Sequence, residues 1–188
     1  ICIVGQRETG SALVYSAFFL MFYREGMPGS ILFTAVAMVV YFVVGVKYEN
    51  VMMWDGQTSV GEFVVLLLVQ IFSTGMVSTY IHNGRQTVQM LLYTVGITLG
   101  CMLFSVYVIP FDVTYVQLIV SFVLIGFLFY QGLSSRIRNY YFIALFALGS
   151  LAFFYSADYV LNNVMEPHQR VRINVLLGLE EDLAGAGY

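Results

Sequence analysis

Charged side chains divide this chain into long uncharged runs. Thr9 to Tyr23 holds 15 residues, Pro28 to Val46 holds 19, Phe63 to Gly84 holds 22, Gln86 to Phe111 holds 26, Val113 to Ser135 holds 23 and Asn139 to Ala157 holds 19. A helix needs roughly 20 apolar residues to cross about 30 Å of hydrocarbon. Five of the runs meet that length. The first reaches only about 22 Å at the helical rise, and it spans if Gln6-Arg7-Glu8 is screened inside a bundle or lies in a thinned interface. The runs are rich in Val, Tyr and Phe, but membrane strands are about 9–11 residues long and alternate apolar with polar positions. These runs are continuous and longer. The pattern predicts an all-α fold: a polytopic transmembrane helix bundle with six spans near 9–23, 28–46, 63–81, 88–109, 113–135 and 139–157. Residues 158–188 then form the start of a large extracytoplasmic loop.

Composition agrees with the pattern. Of 188 residues, 60% are apolar or aromatic and 10% are charged, and the mean hydropathy is +0.83. Soluble domains carry about 25% charged residues, so this chain cannot furnish the polar surface of one. A disordered chain and a disulfide-stapled secreted domain are excluded on the same ground. The net charge of −3 leaves no basic stripe to neutralise phosphates, which excludes a nucleic-acid partner. Cys2 and Cys101 both sit in apolar runs and read as membrane-embedded thiols. With no CxxC motif and only His82 and His168, no zinc or redox site is expected, and the residues name no cofactor. The chain opens on Ile1 inside an apolar stretch and stops at Gly187-Tyr188, and it reads as an internal piece of a longer protein.

Loop charge sets the orientation. The loops after the first, third and fifth runs carry Arg24, Arg85, and Arg136 with Arg138, and are expected to be cytoplasmic. The opposite loops hold Glu49, Asp55 and Glu62 with a single Lys47, then Asp112. Both polar ends, Gln6-Arg7-Glu8 and the segment from Asp158, then face outward. Within the runs, Gly96-Ile97-Thr98-Leu99-Gly100 is a GxxxG that permits close helix approach. Gln70, Gln89 and Gln117 serve interhelical hydrogen bonding on one reading and a transport pathway on the other. No carboxylate sits in the middle of a run, which weakens an ion-coupled transporter.

Two polar constellations carry candidate chemistry. The first is Gln6-Arg7-Glu8-Thr9-Gly10-Ser11 at the head of the first run. An acid there is stabilised by the helix dipole and can cap free N–H groups. Alternatively Arg7 and Glu8 line an outward-facing cavity. The second lies in Asp158 to Tyr188. Pro167 stops the preceding helix. Val171, Val175 and Leu179 recur every four residues beside Leu176, which fits a short amphipathic interfacial helix, while Val171, Ile173 and Val175 also fit a strand. Arg170 and Arg172 place basic charge on the outer side, where guanidinium groups pair bidentately with phosphate or anchor to anionic headgroups.

These constellations resemble the RodA/FtsW, or SEDS, family of peptidoglycan polymerases. The family shows Q-P-D-L-G where this chain has Gln6-Arg7-Glu8-Thr9-Gly10, so that Arg7 and Glu8 stand in the places of proline and aspartate. It shows Q-R-x-R and then D-P-x-G-x-G-Y where this chain has Gln169-Arg170-Val171-Arg172 and Asp182-Leu183-Ala184-Gly185-Ala186-Gly187-Tyr188, with Leu183 in the place of proline. The match is better to the elongation branch, of Bacteroidetes type, than to the division branch. Four more helices lie between the motifs than the family normally has, and an even excess returns the chain to the same side. The resemblance implies a peptidoglycan glycosyltransferase of the bacterial cytoplasmic membrane, polymerising lipid II at the outer face. Its implied partners are a class B penicillin-binding protein, the elongation machinery and the bilayer. It further implies substrate-binding positions at Glu8, Arg170, Arg172, Gly185, Gly187 and Tyr188. The family's catalytic aspartate lies later in the same loop, so no catalytic residue is assigned here. Asp182 belongs to the turn motif. The alternatives are a flippase for the lipid-linked precursor and a non-enzymatic membrane scaffold.

Overall fold

The structure, a computed structural model, describes residues 28–164 apart from 54, 55 and 109, together with Met21, Arg24 and Gly26. The described residues are helical with no strand; Met52 and Ser59 form one isolated antiparallel bridge. Five helices are long and apolar enough to cross a membrane: α1 (Gly29–Lys47), α2 (Val60–Ile81), α3 (Gly84–Tyr107), α4 (Val113–Ser135) and α5 (Arg138–Tyr159). The expected first span at 9–23 lies almost wholly outside the described residues; Met21 and Arg24 are helical. Two compact units divide the chain, Ile1–Val43 with Ser156–Tyr188, and Val44–Tyr155. The second contains α2, α3 and α4 entire.

Helix ends depart from the charge-delimited spans: α3 stops at Tyr107, short of Phe111, while charged residues are drawn into other helices. α2 begins at Val60 and takes Glu62 into its first turn, and α1 takes Lys47 into its last. An acid near the N-terminus and a base near the C-terminus both suit the helix dipole, so these charges extend the helices that they seemed to bound. At the far end α5 runs past Ala157 and Asp158 to Tyr159, and a π-helical turn continues to Val164. Helical structure therefore continues past residue 157, through the polar residues Asp158, Asn162 and Asn163. The amphipathic helix expected within 158–188 lies outside the described residues.

Two residues join α2 to α3 and α4 to α5, and five join α3 to α4, so these helices run antiparallel in sequence order. α2 and α4 each end on a non-glycine residue in the left-handed region, His82 at φ 57° and Arg136 at φ 52°. That conformation costs an L-residue roughly 1–2 kcal/mol, and it is held here because only two residues reverse the chain. Asn83 caps α3: its Oδ1 accepts from the Gln86 N–H at 3.2 Å, and its Nδ2 donates to Gln86 Oε1 at 3.1 Å. Asp112 caps α4 through the Thr114 N–H at 2.9 Å. Each device satisfies a backbone donor that the first turn leaves open.

α2, α3 and α4 pack on one another at close range. α5 joins them where Asn139 Nδ2 donates to Tyr80 O at 3.0 Å and Tyr140 OH donates to Gln86 Oε1 at 2.6 Å. The glycines that bring backbones together are not those of the GxxxG. Gly96 and Gly100 face outward, and a Cβ on either would meet open space. The buried residue of that segment is Thr98, between them. Close approach is made by Gly61 instead, where a Cβ would lie 2.6 Å from Gly45 O and 3.0 Å from the Tyr48 carbonyl carbon. The Gly61 N–H donates to Tyr48 O at 3.1 Å, which seats the head of α2 against the chain leaving α1.

Polar groups are inside and large apolar ones outside. Ser73, Thr74, Thr94, Thr98 and Gln117 are buried, while Leu92, Tyr93, Leu103, Tyr107 and Phe142 are exposed. Continuous apolar surface on that scale does not survive in water; in a bilayer it is the lipid contact. The five helices are thus those of a multi-pass membrane protein.

Two glycine substitutions separate the contacts. Gly61→Ala pushes a methyl into backbone that cannot swing away, and it should lose about 1–3 kcal/mol. Gly96→Ala should stay within about 0.5 kcal/mol of the parent. Unfolding by sodium dodecyl sulfate in mixed micelles measures both.

Candidate functional site

The substrate-binding positions expected from the sequence, Glu8, Arg170, Arg172, Gly185, Gly187 and Tyr188, all lie outside the described residues. The described residues do assemble one polar constellation, in the core shared by α2, α3 and α4. On α3 the buried positions are Met90, Thr94, Thr98 and Ser105, a single stripe of mostly hydroxyl side chains. On α4 Thr114, Gln117 and Ser121 succeed one another at helical spacing. α2 contributes Gln70, Ser73 and Thr74. Since these three helices pack mutually, their buried stripes face one another.

Hydrogen bonds fix the register. Ser105 Oγ donates to Phe111 O at 2.8 Å and accepts from the Phe111 N–H at 3.2 Å, which pins the end of α3 beside the head of α4. Counted from that pin at the helical rise, Thr98 comes roughly level with Gln117, about 10 Å along α3. Gln70 Nε2 donates across to Gln117 O at 3.2 Å and to Ser121 Oγ at 3.0 Å, so α2 enters the same layer. Ser121 Oγ donates back to Gln117 O at 2.9 Å. Thr58 Oγ1 accepts the Val113 N–H at 3.0 Å, which ties the loop before α2 to the head of α4. Gln70, Gln117 and Ser121 therefore form one bonded layer, and by the helical rise Thr98 lies at about the same depth, in the half of these three helices nearest Asp112.

The layer is unevenly satisfied. Ser73, Thr74 and Thr94 each donate to the carbonyl four residues back, at 2.7, 2.9 and 3.0 Å, and so use their hydroxyls locally. Both amide atoms of the Gln117 side chain lack a partner, as do Thr98 Oγ1 and Thr114 Oγ1. Gln117 is 1% exposed. Burying an amide unpaired costs about 2–7 kcal/mol depending on the reference medium, which makes Gln117 the costliest buried polar residue of the layer. The interhelical role expected of Gln70 is what the structure shows. Gln89 is exposed, and Gln117 binds across helices through its backbone carbonyl, not its side chain. The sequence marked Gln70 and Gln117 but not the hydroxyls; the signal available was their spacing, Thr94 to Thr98 and Thr114 to Gln117 to Ser121.

Chemically the layer is neutral. It offers amides and hydroxyls, with no acid or base to transfer a proton. Among the described residues no group of three His, Cys, Asp or Glu side chains could hold a metal ion. Cys101 is a free, half-buried thiol on α3. Beyond Ser121 the core turns apolar, with Leu124, Ile125 and Leu128 on α4, Met76 and Val77 on α2, and Met90 on α3. The polar positions converge and then stop, so these three helices hold no continuous polar route between their two ends. Comparison with protein-family models, with curated proteins and with solved structures finds no match to this chain.

Replacing Gln70 by Leu removes both donor bonds to α4 while roughly keeping volume. Interhelical hydrogen bonds in membranes average about 0.6 kcal/mol and reach roughly 2, so the variant should lose about 1 kcal/mol in mixed-micelle unfolding.

Proposed function

We propose that this chain is a membrane section of a peptidoglycan glycosyltransferase of the RodA/FtsW type, working on lipid II at the outer face of the bacterial cytoplasmic membrane. The observation that carries the reading is the pair of motifs, Gln6 to Gly10 and Gln169 to Tyr188, with an even number of spans between them. Counting 9–23 as a sixth span before α1–α5, both motifs emerge on the side of Asp112 and the acidic loops. The basic residues Arg24, Arg85, Arg136 and Arg138 fall on the other side, which the positive-inside rule makes cytoplasmic.

On this reading the two polar ends are walls of one substrate site. Glycosyl transfer from a polyprenyl-diphosphate sugar needs a base for the acceptor hydroxyl and positive charge for the departing pyrophosphate. Arg170 and Arg172 supply the charge, since two guanidinium forks match phosphate oxygens. The resemblance adds Glu8, Gly185, Gly187 and Tyr188 as further substrate-binding positions. In that family the base belongs to a later part of the outer loop, and none of these residues is assigned that role. A class B penicillin-binding protein crosslinks the product, and the elongation machinery is the setting. The apolar stop at Leu124, Ile125 and Leu128 weighs against the rival reading as a transporter, which requires a polar route between the faces.

In the full-length protein, Arg170→Gln together with Arg172→Gln should reduce lipid II polymerisation by about tenfold or more, the loss of roughly one charge-assisted hydrogen bond, while membrane insertion stays unchanged. Polymerisation equal to the parent's overturns the role. Cysteines at Glu8 and Arg170 should both react with an impermeant maleimide added to intact cells; labelling from opposite sides overturns the topology.

A further inference from the structure

We propose that Thr114, Gln117 and Ser121 of α4 and Thr98 of α3 line a one-ended hydration site inside the bundle, with water admitted from the end that carries Asp112. The unpaired atoms call for a ligand. Gln117 presents a donor group and an acceptor, Thr98 and Thr114 each present a hydroxyl, and none of these atoms has a protein partner. Gln70 has no donor to spare for them, since its two amide hydrogens are committed to Gln117 O and Ser121 Oγ. In hydrocarbon no lipid group can substitute, so each such atom stays costly until something polar reaches it.

The chemistry of the lining selects the occupant. All four side chains are neutral, so an ion would have no opposite charge to offset its dehydration. Thr98, Gln117 and Ser121 are each at most 2% exposed and Thr114 is 4% exposed, which leaves no opening for a sugar or a headgroup. Water is small enough, and it needs the two to four polar partners that this layer offers. The direction of entry follows from where polarity ends. Thr114 lies two residues after the Asp112 cap, and Gln117 and Ser121 follow it along one face. Leu124, Ile125 and Leu128 then close that face toward the Arg136 end.

The test is silver-ion reactivity of single cysteines in the full-length protein, in membranes and in a background free of native cysteines. Unreacted thiols are counted afterwards by maleimide gel shift under denaturing conditions. Silver is applied from the side that modifies a cysteine at the exposed loop residue Gln57. Thr114→Cys and Gln117→Cys should react about tenfold or more faster than Leu128→Cys, because thiolate forms and meets silver only where water reaches. Thr98→Cys, on the facing helix, repeats the measurement with Gln117 intact and guards against misfolding of the α4 variants. Reaction at Gln117→Cys and Thr98→Cys as slow as at Leu128→Cys overturns the site. Fast reaction at Leu128→Cys overturns its one-ended form.

Discussion

The constraint on which this bundle depends is the satisfaction of polar groups where no bulk water competes. The Gln70 amide shows how it works. Its two donor bonds reach from α2 to the Gln117 carbonyl and the Ser121 hydroxyl, and they fix both the depth and the rotation of α2 against α4. Apolar packing alone would leave both free to vary, because lipid tails contact Leu and Val as readily as another helix does. One side chain in the layer thus sets the register of the core, and Ser105 with Phe111 sets that of α3 against α4.

The same constraint explains the division of the core into a polar half and an apolar half. Hydroxyls that bond back to their own helix, such as Ser73, Thr74 and Thr94, add little cost wherever they sit. On α3 and α4 the unpartnered hydroxyls and the Gln117 amide lie in the half nearer Asp112, and the Gln86 amide nitrogen lies at the opposite rim. The other half is packed with Leu, Ile, Val and Met and is tied at its rim by Asn139 and Tyr140. A bundle so arranged is anchored by hydrogen bonds at one depth and by shape at another.

Charge acts at the ends of the helices. Arginines gather at the turns after α2 and α4, and carboxylates at the opposite turns, and the short connections hold this alternation from α2 to α5. The proposed glycosyltransferase site would use that asymmetry. Its two walls would come from segments at opposite ends of the sequence, returned to one face by the six crossings that the proposal counts.

Helix identity and span number for α1 to α5 were legible in the sequence, because uninterrupted apolar runs of about 20 residues have one stable solution in a bilayer. The run from Val113 to Ser135 coincides with α4 end to end. Helix ends were less legible, since Glu62, Lys47 and Asp158 looked like boundaries and are instead helical residues. The motif residues that suggest the activity were also read from sequence, and they stand on local order and spacing alone. What only the tertiary structure decided is which faces meet. The GxxxG at Gly96 and Gly100 points outward, Gly61 makes the close backbone contact, and Gln117 keeps its amide unpaired in the core while Gln89 is exposed. Periodicity states which residues share a face. Which face is turned inward depends on the partner helix, and for helices apolar on nearly every side that choice rests on a few bonds between residues distant in the chain.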